Sequence, residues 1–381
     1  MKNQAIETLC AQTPVFGNPC ETSQIFFEAM RENYALQWEQ HSYIREIGSR
    51  HGFSPKMLSS YSDVFSIPPL FVGVMKEHSF LSVPESDIVL TLTSSGTGGQ
   101  KTHICFDDDS LRRLQLLANN AFGAMGFCSA NPSHVFLMSY DPRRANDVGT
   151  TWSDEQIMKL SPVISHHWTI EWSDEHSEYR FDGEKWAREF VRVAADAPVR
   201  LLGFPAFMFQ LVEDIRRLGL RVRVHPDSFI VAGGGWKNHL GSSMSLREFA
   251  LYMEENIGFR RENIRDTFGM AEHGVPYCSC PLGNFHAPIT SRIAAVDPLS
   301  LREFRHGEEG TLKLLTPYNT SQPNLSVLST DVVVLGKNCG CGTPGIFIQS
   351  IRRGGISQHR GCAIAAQDIL GNRGKESNGK K

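Results

Sequence analysis

Hydroxyls and glycines crowd one stretch of the chain: Thr93-Ser94-Ser95-Gly96-Thr97-Gly98-Gly99-Gln100-Lys101-Thr102, directly after the apolar run Ile88-Val89-Leu90-Thr91-Leu92. A strand that empties into such a loop presents backbone N–H groups unobstructed by side chains. That nest accepts phosphate oxygens, with the hydroxyls of Ser94, Ser95 and Thr97 as further donors. The same composition also makes an ordinary hairpin loop. Three later segments bear on the choice. Ile230-Val231-Ala232-Gly233-Gly234-Gly235 ends a strand in bare backbone, against which a flat adenine can lie, or which simply turns the chain. In Phe268-Gly269-Met270-Ala271-Glu272-His273-Gly274, Phe268 can stack on a base and Glu272 can hold Mg²⁺ beside phosphates. Asp331 is expected at a strand start, where it accepts both ribose hydroxyls or serves as a turn aspartate.

A second group of reactive residues is sulfur-rich. Cys278, Cys280, His286, Cys339 and Cys341 supply two Cys-x-Cys pairs and a histidine. Thiolates and imidazole in a set of four suit tetrahedral Zn²⁺, and a closed set would be structural. If strand alternation holds, Cys278 and Cys280 face the same way and both reach a metal; one of the five is spare. Free cysteines are also common as small buried hydrophobes. Cys362 stands apart, after His359-Arg360-Gly361, where positive charge lowers a thiol pKa and Gly361 leaves room for close approach. The apolar residues after it also fit a buried helix cysteine.

Positioning these groups requires a sizeable scaffold. The 381 residues, 41% of them hydrophobic, can bury a large core. The formal net charge of −3 and the absence of a long basic run make nucleic acid and anionic membrane poor candidates for the main partner. No run is long and apolar enough for a membrane span, no signal-peptide hydrophobic region opens the chain, and the nine cysteines are an odd number. A cytoplasmic enzyme is expected. The first 85 residues or so read as helical and loop-rich, and thereafter apolar strands alternate with amphipathic helices. Strands are predicted at 134–139, 199–203 and 228–232. Pro205 opens a helix with Met208, Leu211, Val212 and Ile215 on one face. Ser245 and Glu248 have capping-box spacing ahead of a helix over 246–256. Strands at 311–315, 332–335 and 346–350 suggest a β-rich subdomain. The alternation predicts an α/β fold around a buried sheet.

The order and content of the four segments resemble the adenylate-forming superfamily. Within it, the chain is similar to the LuxE acyl-protein synthetases and their phenylacetate–CoA ligase-type relatives. The carriers are Ser94-Ser95-Gly96-Thr97-Gly98-Gly99-Gln100, Gly234-Gly235-Trp236-Lys237, Phe268-Gly269-Met270-Ala271-Glu272-His273-Gly274-Val275-Pro276-Tyr277 and His359-Arg360-Gly361-Cys362, and the likeness runs from Ile67-Pro68-Pro69 to about Asp368. It implies a large adenylate-forming-type domain over 1–350 with layered α/β sheets. It also implies a truncated C-terminal lid over 351–370 carrying Cys362, with 371–381 a disordered tail. ATP and Mg²⁺ are the implied cofactors and a fatty or aryl carboxylic acid the substrate. Thr97 and Glu272 would serve catalysis, Glu272 through Mg²⁺. Ser94 to Gly99, Gly233 to Gly235, Phe268 to Met270, Asp331 and Arg353 would bind nucleotide, and Cys362 with His359 would accept the acyl group. Phe204, Pro205 and Phe207 are candidates for the acyl pocket or plain helix core.

Two departures matter. Many superfamily members close the phosphate loop with Pro-Lys, where this chain has Lys101-Thr102. The usual C-terminal domain with its catalytic lysine has no room here, as in LuxE-like proteins. The implied activity is formation of an acyl-adenylate, then transfer to Cys362. An acyl reductase, acyltransferase or carrier protein would receive the product. Coenzyme A or a carrier-protein thiol is the alternative acceptor. A nucleotide-binding scaffold without chemistry is the remaining reading, against which the complete set of Thr97, Glu272 and Asp331 speaks.

Overall fold

Strand Ser133–Tyr140 is buried along nearly its whole length around the apolar run 135–138, the pattern of a parallel sheet covered on both faces. It lies at the centre of one of two units in a computed structural model that describes residues 3–94, 102–141, 149–234 and 244–354. This first unit spans 126–268. Its strands run Ile264–Phe268, Phe229–Gly233, Val199–Gly203, Ser133–Tyr140, Val163–Ser173, all parallel, with Glu178–Phe181 antiparallel at the edge. The chain first adds Val163–Ser173 on one side of Ser133–Tyr140. It then crosses back to build the other three strands on the opposite side. That reversal is the topological switch point at which open α/β sheets bind ligands, at the carboxyl ends of the strands.

Local chemistry sets the helices of this unit. Pro205 occupies the first turn of Pro205–Arg217, where its missing N–H costs nothing. Ser245 and Glu248 form the expected capping box of Leu246–Ile257, and Gly258, at φ +85°, ends that helix in the left-handed region. Phe204, Phe207, Met208, Leu211, Val212 and Ile215 enter the hydrophobic core with Phe136, Phe190 and Phe249. Phe204 and Phe207 thus lie in the core, and Pro205 is buried at the start of the helix.

Asp154, on the helix Gly149–Lys159, is buried in this unit. Burial raises its pKa from 3.8 to about 7, with the Ser139 hydroxyl pulling weakly the other way. The folded chain therefore keeps a proton that the unfolded chain releases. The stability this contributes is full below the ordinary carboxylate value and is lost as pH rises towards 7. Asp154→Asn is expected to flatten that fall, gaining on the order of 2–4 kcal/mol over wild type at about pH 8 and little at about pH 4. Urea unfolding at the two pH values measures it; parallel losses in both proteins would contradict the assignment.

The second unit comprises residues 3–94, 102–125 and 269–354. Here the strands are antiparallel: Arg292–Val296, Glu309–Leu315, Ser326–Lys337, Ile346–Arg353, Phe285–His286, Tyr277–Ser279, in that order, with the short Leu70–Phe71 parallel to Ser326–Lys337. The expected β-rich region is therefore present and begins earlier, at Tyr277. Helices Ser23–Gln40 and Asp108–Ala124 belong to this unit, the latter capped by the Asp107 carboxylate accepting from Ser110 N–H. No helix among the described residues is long and apolar enough to cross a membrane.

Candidate active site

The hydroxyl- and glycine-rich run joins two antiparallel strands, Leu90–Thr93 and His103–Phe106. Residues 95–101, which include Ser95, Gly96, Thr97, Gly98 and Gly99, lie outside the described residues. The neck of the loop is closed by Ser94 N–H donating to the Thr102 carbonyl and Thr102 N–H donating to Ser94 Oγ, each at 3.0 Å. Ser94 Oγ accepts in this neck, and its O–H remains a donor.

Thr102 itself is fully buried and donates its hydroxyl to Glu272 Oε1 at 2.8 Å. Sequence reasoning noted Lys101-Thr102 as a departure from the family pattern and gave Thr102 no role. Glu272 sits in a tight turn whose N–H groups at His273 and Gly274 both donate to the Met270 carbonyl. Gly274, at φ +80°, is required there: a Cβ would come within 1.9 Å of the Tyr318 hydroxyl. Asn324 Nδ2 donates to the Glu272 carbonyl at 3.0 Å, fixing the backbone as well. Beside it, His273 is buried, with Nε2 2.9 Å from the Tyr277 hydroxyl, and burial pushes its pKa down to about 3. Glu272 is only 5% exposed, and among the described residues no cationic side chain pairs with it. A buried carboxylate in that state has the chemistry of a cation ligand.

Asp331 was expected at a strand start. It lies instead inside the twelve-residue strand Ser326–Lys337, directly opposite Arg353 in register. The run of β-branched residues after it and the pairing with Ile346–Arg353 extend the strand through it. Its N–H donates to Ser329 Oγ at 2.9 Å. Burial raises its pKa, the Arg353 charge opposes the rise and the Glu272 charge adds to it. Asp331, Arg353 and Glu272 therefore share one electrostatic environment within this unit.

In the parallel unit, Gly233 and Phe268 end adjacent strands, with Gly233 opposite Thr267 in register. Gly234, at φ +78°, turns its bare face to Phe204, whose ring edge would lie 2.8 Å from a Cβ. Gly233, Gly234 and Phe268 thus stand at the carboxyl ends of one parallel sheet, where its topology favours a ligand. Gly269 and Met270 begin the Glu272 turn in the other unit. Gly235, His359 and Cys362 lie outside the described residues.

Four of the five candidate metal ligands come together. Ligand atoms of Cys280, His286, Cys339 and Cys341 all lie within 4.8 Å of one another. Cys278 is not among them. The strand Tyr277–Ser279 ends before Cys280, so the alternation that would align the two side chains does not extend that far. Burial pushes the His286 pKa down to about 4, against the Pro344 backbone, leaving a neutral imidazole.

Residues 14–370 match the family described as acyl-protein synthetase, LuxE. The chain belongs to the LuxE acyl-protein synthetase family. This LuxE-family chain is similar to the long-chain-fatty-acid–luciferin-component ligases of Aliivibrio fischeri, 25% identical over 306 residues covering 80% of this chain and 79% of the relative, and of Vibrio harveyi, 23% identical over 347 residues covering 91% and 88%. Its fold is that of a solved 2-hydroxyisobutyryl-CoA ligase in an open conformation, with a TM-score of 0.69 at 16% identity, covering 89% of this chain and 71% of that one. The LuxE-family chain is an enzyme, an AMP-forming ligase that joins an acid to a thiol.

Proposed function

We propose that the chain activates a long-chain fatty acid with ATP and then carries the acyl group on Cys362. In the first step a carboxylate oxygen attacks the α-phosphorus, the bond to the β-phosphate bridge breaks, and pyrophosphate leaves. The product is the mixed acyl–adenylate anhydride. In the second step the Cys362 thiolate attacks the acyl carbon, the carbon–oxygen bond to phosphate breaks, and AMP leaves behind a thioester. His359 and Arg360 favour the thiolate by their charge.

The observation that carries this reading is the Glu272 carboxylate, buried and held by Thr102 at the neck of the phosphate loop. When bound there, Mg²⁺ on Glu272 would offset the negative charge that builds on the departing phosphates. Within the antiparallel unit Asp331 would take ribose hydroxyls, and at the strand ends of the parallel unit Phe268 and the neighbouring glycines would offer a flat surface to a base. The fatty acid is the substrate class that the two curated relatives carry in their names. In this reading the Cys/His cluster takes no part in the chemistry.

The reading is tested by incubating the chain with ATP and a radiolabelled long-chain fatty acid in the absence of coenzyme A. Label trapped on protein and released by neutral hydroxylamine is the expected outcome. Label that moves only when coenzyme A is added would replace Cys362 by that acceptor.

Thr102 is a positioning residue in this reading. Thr102→Val removes the donor to Glu272 and is expected to lower kcat for adenylation about tenfold, the equivalent of one charge-assisted hydrogen bond. Thr102→Ser keeps the hydroxyl and should restore most of the rate with the same Mg²⁺ dependence. A valine variant as fast as wild type would remove Thr102 from the site.

A further inference from the structure

We propose that Cys280, His286, Cys339 and Cys341, without Cys278, form a closed tetrahedral Zn²⁺ site. The ion would fasten the Tyr277–His286 hairpin to the connection between Ser326–Lys337 and Ile346–Arg353. The site stands apart from the adenylation reading, and either can fail alone.

Its geometry is that of a metal centre. A tetrahedral zinc with sulfur at about 2.3 Å and nitrogen at about 2.0 Å sets S···S edges of about 3.8 Å and S···N edges of about 3.5 Å. Cys280 Sγ lies 3.8 Å from Cys339 Sγ, and Cys341 Sγ lies 3.4 Å from His286 Nε2. The sulfur separation is far beyond the roughly 2.05 Å of a disulfide, and the described cysteines are all free. Four ligand atoms clustered this tightly leave no open coordination position, so the site is structural.

The surroundings support the ligands as a second layer of contacts does in metal centres. Asn284 Nδ2 donates to Cys339 Sγ at 3.2 Å, and Thr343 N–H donates to Cys341 Sγ at 3.4 Å, both suited to thiolate sulfur. The His286 ring is held edge-on by Phe16 and tilted against Phe347, which fixes its direction. Gly342 N–H donates to the Cys339 carbonyl, and its φ of +84° allows the tight turn that brings Cys339 and Cys341 to one side.

The ligands come from the turn after Tyr277–Ser279, from Phe285–His286 and from the connection that follows Lys337. Around them Cys280, Cys339 and Phe347, with part of Cys341, form a small apolar cluster of their own. Burial contributes little to a cluster of that size, where a metal adds the missing cross-link. Asp331 and Arg353 sit at the far end of the Ser326–Lys337/Ile346–Arg353 pair from the cluster. The ion is thus placed to hold the hairpin and outside direct contact with those two side chains.

Elemental analysis of the full-length protein, purified without chelator, tests the assignment. About one zinc per chain is expected in wild type and in Cys278→Ser, and less than about a tenth of that in Cys280→Ser and Cys341→Ser. Where a serine variant does not fold, wild type exchanged into Co²⁺ decides: intense thiolate-to-cobalt absorption with tetrahedral ligand-field bands is expected. Wild type that holds no zinc and gives no such spectrum overturns the site. So does a Cys278→Ser protein that loses zinc as completely as Cys280→Ser, or an intact mass showing two protons lost to a disulfide. Zinc without adenylation, or adenylation without zinc, separates this inference from the proposed function.

Discussion

Glu272→Gln is expected to lower acid-dependent pyrophosphate exchange by on the order of a thousandfold while the protein stays folded. The substitution removes one negative charge and almost no volume. Its amide oxygen can still accept from Thr102 Oγ1, which lies 2.8 Å from the present carboxylate oxygen, and the Asn324 bond to the backbone carbonyl is untouched. What is lost is the charge that draws a divalent cation to the phosphates. Preorganised charge in a water-poor site contributes on the order of 3–4 kcal/mol to a transition state, a few hundredfold to a thousandfold in rate. The expected pattern is a collapse of kcat with a thermal midpoint close to wild type. Exchange within a few-fold of wild type would show that Glu272 is a structural carboxylate and would empty the site of its cation ligand.

The second large effect separates the two halves of the reaction. Cys362→Ala is expected to leave pyrophosphate exchange near the wild-type rate and to abolish the hydroxylamine-sensitive acyl-protein. Cys362→Ser should behave alike, with at most a slow, more stable ester, because the hydroxyl is un-ionised where the thiolate is not. Intact-mass measurement after incubation with ATP and fatty acid reads the outcome directly. Cys20 and Cys128 are the exposed cysteines among the described residues, so they are the natural sites for adventitious acylation. Hydroxylamine-sensitive mass gain in Cys362→Ala at the wild-type rate and stoichiometry would remove Cys362 from the mechanism.

The α/β unit was largely legible because its signals are local. A proline at a helix start, a Ser/Glu capping box and continuous apolar runs each act within a few residues, and Pro205–Arg217, Leu246–Ile257 and the buried strands follow from them. The site was legible only in its parts. Thr102 and Glu272 are 170 residues apart, and nothing near Thr102 announces that its hydroxyl will meet a carboxylate. The strand through Asp331 was misjudged for the same reason. Its pairing with Arg353 is set across the sheet, whereas the local Ser-Thr-Asp run reads as a turn. The cysteine pairs were visible, but choosing four of five depended on where one short strand stops. Strand periodicity carries no information past Ser279.

The central claim is that one acid-dependent step joins a carboxylate to AMP. Exchange of labelled pyrophosphate into ATP, without coenzyme A, across fatty acids of increasing length and a set of aryl acids, measures that step alone. We expect exchange at least about tenfold above the acid-free rate with a long-chain fatty acid, abolished by Glu272→Gln. If ATP binds and no acid of either class raises exchange above the blank, the chain does not form acyl-adenylates and the account is wrong.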